Sequence, residues 1–221
     1  MRVFFLFGLI ILFYQAKSQN STKELILMNK NIISQELTSA SDEVVFMGNS
    51  IFESWSKFDS AFFIQNRFVN KGISGQTSLQ MLGRFRQDVI NVKPRSVVIL
   101  AGTNDIAGNM GPVTLESIFC NIQSMTELAK YNGIKVYICS VLPVLKYKWA
   151  PQVEPVEKII NLNNLLKDYC TSQNIEYVDF YTKMADSSKG LDKLYTADGV
   201  HPNAKGYAVM KEILMNILQG R

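Results

Sequence analysis

The sequence predicts an α/β protein of three layers, with a central parallel sheet of about five strands packed between helices. Two observations carry this. Short apolar runs rich in β-branched residues alternate with longer stretches whose apolar residues recur every three and four positions. Strand following helix following strand also implies parallel strands joined by right-handed crossovers, because that connection packs the intervening helix back onto the sheet.

The strand-like runs are VVFMG (44–48), RFVNKG (67–72), SVVILAG (96–102), KVYICS (135–140) and EYVDF (176–180). Their length and branching suit strands buried on both faces. Between them lie three helical stripes. Leu79, Leu82, Phe85 and Val89 form one that stops before Pro94, and Leu115, Ile118, Ile122 and Met125 form another that ends near Gly133. Ile159, Leu162, Leu166 and Tyr169 make the third, after Pro155, and AKGYAVMKEILMNIL (204–218) reads as a closing helix. No repeat, low-complexity tract or linker interrupts the pattern. Residues 19–221 are therefore expected to form one domain, with 19–41 as a leading helix over one end of the sheet.

The first residues read as sorting information. MRVFFLFGLIILFYQAKSQ has Arg2, an apolar run over 3–14, and Ala16 and Ser18 ahead of a cut before Gln19. That is the layout of a secretory signal peptide over 1–18, and the run falls short of the ~20 residues that span hydrocarbon. Export to the periplasm or beyond, with no stable membrane anchor after cleavage, is the expectation. The net charge is +4, and its basic residues are scattered rather than gathered into the stripe that nucleic acid requires, so no nucleic-acid partner is expected. Three cysteines, Cys120, Cys139 and Cys170, cannot all pair within the chain. With no C-x-x-C present, they are expected to be buried free thiols acting as small hydrophobes.

In a parallel α/β sheet, ligands sit beyond the carboxyl ends of the strands. Three polar clusters follow the first three strands: GNSIFESW with Ser50, NKGISGQTS with Gly75, and GTNDIAG with Asn104. The only histidine, His201, stands near the C-terminus in ADGVHPNAKG, three residues after Asp198. Together these supply what acyl transfer needs. There is a hydroxyl to attack, an imidazole to take its proton and a carboxylate to orient the ring. Donors for a developing oxyanion are available from the Ser50 backbone at a helix start, the Gly75 backbone and the Asn104 amide. Taken singly, Ser50 also suits a helix N-cap, Asn104 a turn, and His201 a solvated loop.

At these four points, in order, the chain resembles the SGNH or GDSL-like serine hydrolases, over about residues 43–218. The resemblance implies a flavodoxin-like α/β/α fold and ester hydrolysis with no metal or organic cofactor. Ser50 matches the nucleophile, Gly75 and Asn104 the oxyanion positions, and Asp198 and His201 the acid and base. Asn49 departs from the aspartate often found before the nucleophile. For substrate contacts the candidates are Asn49 and the aromatic pair Tyr147 and Trp149 of the 141–155 segment, whose rings suit a sugar face. The expected substrate is a short-chain acyl ester, acetyl foremost, on a small molecule or glycan. The alternatives are a lysophospholipase or platelet-activating-factor acetylhydrolase-like lipid esterase, a non-catalytic carbohydrate- or lipid-binding module, and a metal-dependent hydrolase. A single histidine makes the last hard to build.

Overall fold

The computed structural model describes residues 41–220. The expected signal peptide over 1–18 and leading helix over 19–41 thus lie outside the described residues, save that Ser41 opens the first strand.

From there the chain alternates as its pattern predicts. Strand β1 (Ser41–Gly48) leads into helices α1 (Ser50–Phe58) and α2 (Ser60–Gln65), and β2 (Phe68–Gly72) leads into α3 (Ser78–Phe85). A π-helical turn over Arg86–Ile90 then delivers β3 (Pro94–Ile99), followed by the short α4 (Thr103–Ile106) and long α5 (Leu115–Tyr131). The chain finishes with β4 (Lys135–Cys139), α6 (Val156–Gln173), β5 (Glu176–Val178), the single turn α7 (Tyr181–Met184) and α8 (Ala204–Leu218). The five strands are all parallel and run in the order β2-β1-β3-β4-β5. That order reverses direction between β1 and β3, the place where open α/β sheets leave a crevice at their carboxyl edge.

Side chains alternate across β1, and each face has its own core. Val45 and Met47 pack with Met81, Phe85, Ile118, Ile122, Ile159 and Leu162, from α3, α5 and α6. Val44 and Phe46 pack with Ile51, Trp55, Phe62, Phe63, Tyr207 and Met210, from α1, α2 and α8. The second face is dense in aromatics: Trp55 stacks on both Phe62 and Tyr207 at ring separations of 5.4 and 5.5 Å. Side chains of this size bury about 150–250 Å2 each, a large apolar payload for one face.

The structure corrects several expectations. Burial on both faces holds for β1, β3 and β4, whereas the edge strands β2 and β5 are only partly covered. Leu79, expected on the buried stripe of its helix, is 63% exposed; Ser78, Met81 and Phe85 face inward instead. The rotation follows from Ser78, whose backbone N–H and hydroxyl are both held by the Asp105 carboxylate. Cys139 and Cys170 are buried free thiols as expected, with burial pushing the Cys170 thiol up to about 12. Cys120 is exposed, because it falls between the inward-facing Ile118 and Ile122 on α5.

Where β4 ends, the chain leaves the sheet with its backbone still buried, and Asn163 of α6 replaces the missing strand partner. Its amide accepts from Val141 N–H at 2.8 Å and donates to the Val141 carbonyl at 3.0 Å. An isosteric apolar residue satisfies neither, and each buried orphan costs about 1–3 kcal/mol. Asn163→Leu should therefore lower unfolding free energy by roughly 2–4 kcal/mol in urea titration; a loss below about 0.5 kcal/mol would mean that the Val141 groups find other partners.

Candidate active site

Asn49 and Ser50 stand where β1 gives way to α1. The Asn49 side chain caps the helix by accepting from Ile51 N–H at 3.0 Å, and it is 1% exposed. Asn49 therefore offers no surface to a substrate. The same arrangement answers what Ser50 does: the cap is its neighbour, and Ser50 is the first residue inside the helix. In that position a backbone N–H has no partner within the helix, and the helix dipole favours negative charge beside it.

The Ser50 hydroxyl meets His201 Nε2 at 3.0 Å, across 151 positions of sequence. On the other side of the ring, His201 Nδ1 meets Asp198 Oδ2 at 2.7 Å. A carboxylate accepts and cannot donate, so Asp198 draws the proton to Nδ1 and leaves Nε2 to accept from Ser50. Asp198 and His201 lie on a tight turn through Gly199, whose φ of +86° suits a residue without a Cβ. Asp198 Oδ1 accepts from the Val200 and His201 backbone N–H groups at 2.9 and 2.8 Å, and the Thr196 hydroxyl donates to the His201 carbonyl at 2.8 Å. Burial works against the charge on Asp198, but the hydrogen bonds from His201 and Val200 outweigh it and hold its carboxyl well below the usual range.

Two further loops are tied to the end of β1 and to each other. Ile73, just after β2, donates its N–H to the Gly48 carbonyl at 3.1 Å, which ties the Gly75 loop to the end of β1. Gly75 has φ of +78°, and a Cβ there would meet nothing within 4 Å. Its glycine is required by backbone conformation rather than by crowding. Asn104 is buried in α4, where its amide nitrogen donates to the Gln76 carbonyl at 2.9 Å. One of the two amide hydrogens thus orients the group.

The aromatic pair divides. Tyr147 is fully buried, hydrogen bonded through its hydroxyl to Thr103 Oγ1 at 2.9 Å, so it cannot present a face to a sugar. Trp149 is 48% exposed, packs on Tyr147, and donates its indole N–H to Asn109 Oδ1 at 3.1 Å. Asn109 in turn donates to the Gly75 carbonyl at 3.1 Å, so Trp149 buttresses the glycine loop as well as bordering solvent.

A polar frame absent from the sequence reading holds these loops. Glu53 of α1 accepts from both the backbone N–H and the hydroxyl of Ser74. These bonds occupy the hydroxyl of Ser74, the serine next to Gly75. Arg84 reaches Gln76 Oε1, the Gly48 and Lys71 carbonyls, and Asp88, joining the ends of β1 and β2 to the glycine loop. Asp105 pins Ser78 while Asn121 donates to the Ser78 hydroxyl at 3.0 Å, locking the Asn104 turn to the start of α3. Burial raises the Asp105 carboxyl in spite of the hydrogen bonds it accepts from Ser78. Only the i, i+4 pairing of Arg84 with Asp88 is visible in the sequence.

A three-layer sheet with serine, histidine and aspartate in one hydrogen-bonded line at its switch point defines a class: the α/β/α serine hydrolases. Comparison with known proteins narrows it. The model of the GDSL-like lipase/acylhydrolase family matches residues 46–209, and the chain belongs to that family. A GDSL-like lipase from Bacteroides thetaiotaomicron is similar in structure, with a TM-score of 0.80 and 40% identity over 86% of this chain and 97% of that one. A Bacteroides fragilis protein of solved structure also gives 0.80, at 43% identity over 84% of this chain and 93% of that one. Among curated relatives, the acetylxylan esterase of Geobacillus stearothermophilus is 25% identical over 65% of this chain and 68% of its own. The chain also matches the N-acylneuraminate cytidylyltransferase of Escherichia coli at 27% identity over 83% of its length, but spans only 42% of that enzyme.

The Ser74 bonds hold the Glu53 carboxyl at about 2, below its ordinary 4.5, with Lys57 assisting. A carboxylate depressed in this way stabilises the fold above its unfolded value and loses that contribution as pH falls from about 4.5 toward 2. Glu53→Gln should therefore flatten the decline of Tm across that window relative to the parent. An unchanged slope in thermal denaturation would show that Glu53 does not hold the Ser74 loop.

Proposed function

We propose that this chain is an exported serine esterase that removes short acyl groups, acetyl foremost, from carbohydrate esters through an acyl-enzyme. The observation that carries the chemistry is the unbroken line from Asp198 through His201 to Ser50 Oγ. In the proposed reaction His201 Nε2 takes the Ser50 proton as Oγ attacks the ester carbonyl, and Asp198 stabilises the imidazolium that results. Negative charge moves to the carbonyl oxygen, where the Ser50 and Gly75 N–H groups and the second Asn104 amide hydrogen receive it. His201 then protonates the departing alcohol, and a water activated the same way releases the acid and frees Ser50. The loops that carry these donors are cross-linked before substrate arrives, so little reorganisation accompanies charge development.

Support for a polar substrate comes from the groove beside Asp198, whose wall includes Lys146, Lys148 and Lys193. Relatives that include an acetylxylan esterase point the same way. Support for export rests on the pattern of residues 1–18 alone. N-terminal sequencing of protein recovered from outside the cytoplasm should begin at or near Gln19, and a retained Met1 would contradict cleavage.

A fluorophosphonate probe should label Ser50 and no other serine, and labelling should survive EDTA. An adduct on Ser74, or none in active protein, would refute the assignment. Asn104→Ala should lower kcat by about 10²–10³ while KM changes little, because an oxyanion donor acts mainly in the transition state. Activity within a few-fold of the parent would reduce Asn104 to a turn residue. Measured over esters of increasing chain length, acetylated sugars should be preferred; preference for long-chain or phospholipid esters would place the chain among lipid esterases.

A further inference from the structure

Beside the turn that carries Asp198 lies an open groove of about 580 Å3. One wall is the loop after β4, with Leu145, Lys146 and Lys148; the other runs from Asp186 through Lys193 to the Asp198 turn. All three lysines are exposed, and among the described residues none has a carboxylate within 4.0 Å.

Two carboxylates also line the groove, and both are already engaged. Asp186 Oδ1 accepts from the Ser188 and Gly190 backbone N–H groups at 2.8 and 3.0 Å. Asp198 is held by His201 and Val200. The groove wall thus carries three ammonium groups against two carboxylates, and this net positive concave surface includes Asp198 and Gly199 of the turn that carries His201. Lysine charge gathered in a cleft draws in anions, since low-dielectric walls focus the field.

We propose that this groove is a subsite for an anionic group carried on the alcohol part of the ester, a carboxylate or phosphate held beside the scissile bond. The inference rests on the esterase reading above and deepens it. Its chemistry is positional: the anion engages Lys146, Lys148 and Lys193 and brings the ester up to Ser50. Each contact is an exposed ion pair and individually weak, but three together amount to roughly a tenfold preference. Salt should erode that preference, because exposed pairs are screened over about 10 Å at 0.1 M ionic strength.

The test uses matched acetate esters: an O-acetylated methyl glucuronide, its uncharged methyl ester, and an acetylated glycerol phosphate. At low salt the parent enzyme should favour the acidic sugar over its methyl ester about tenfold in kcat/KM, mainly through KM, and 0.5 M NaCl should abolish the difference. The triple variant K146E/K148E/K193E should invert the ratio. Rates on the glycerol phosphate ester relative to the glucuronide tell whether phosphate or carboxylate fits better. Hydrolysis of p-nitrophenyl acetate monitors the esterase reading separately. Calorimetric binding of the same compounds to Ser50→Ala judges the groove even without turnover. Equal affinity and equal kcat/KM for acid and methyl ester at low salt, or a preference untouched by charge reversal, would overturn the proposal.

Discussion

The hydrogen bond between Ser50 and His201 joins the end of the first described strand to a turn just before the last helix. Its 3.0 Å length depends on how α8 docks. Tyr207, one turn into that helix, donates its hydroxyl to the Ile51 carbonyl at 2.8 Å and stacks on Trp55. Met210 and Leu214 continue the same face into the core. The aromatic layer beneath the sheet thus does more than bury area. It fixes the register of α8 against α1, and with it the distance from imidazole to hydroxyl. Reactions of this kind are sensitive at that scale, since displacing a reacting group by about 1 Å costs on the order of a hundredfold in rate.

The opposite edge of the site is held by polar bonds. Glu53, Arg84 and Asp105 each link a strand end or helix start to a loop that carries a proposed oxyanion donor, and Asn109 links the Gly75 loop to Trp149. Asp105 is the clearest case: a buried carboxylate whose ionisation burial disfavours, kept in place by three contacts to Ser78. A polar network this far inside the protein is tolerable only when its members satisfy one another. It holds the Asn104 turn, whose amide donates one hydrogen to the Gln76 carbonyl.

The alternation of apolar runs and helical stripes made the layered sheet legible, because burial imposes its period directly on the sequence. The hydrogen-bonded line of Ser50, His201 and Asp198 was legible for another reason. Each sits in a short block where side-chain type and backbone requirement coincide, as in the glycine of DGVHP that lets carboxylate and imidazole share one turn. What stayed hidden was set by tertiary contact. Asparagine is a favoured cap, yet nothing local says that Asn49 rather than Ser50 takes that place, or that Tyr147 is consumed by Thr103 while Trp149, two residues on, stays half open. The exposure of Leu79 follows from a bond between Ser78 and Asp105, 27 positions apart. The bonds of Glu53 and Arg84 to loop partners leave no periodic trace in the sequence.

In the proposed mechanism Ser50 and His201 act as one reacting unit, and a double-substitution cycle measures that most directly. If they do, Ser50→Ala and His201→Ala each reduce kcat to the same residual level, and the double variant is no slower than either. Losses that multiply in the double variant would show that the two side chains act independently, and would contradict the mechanism.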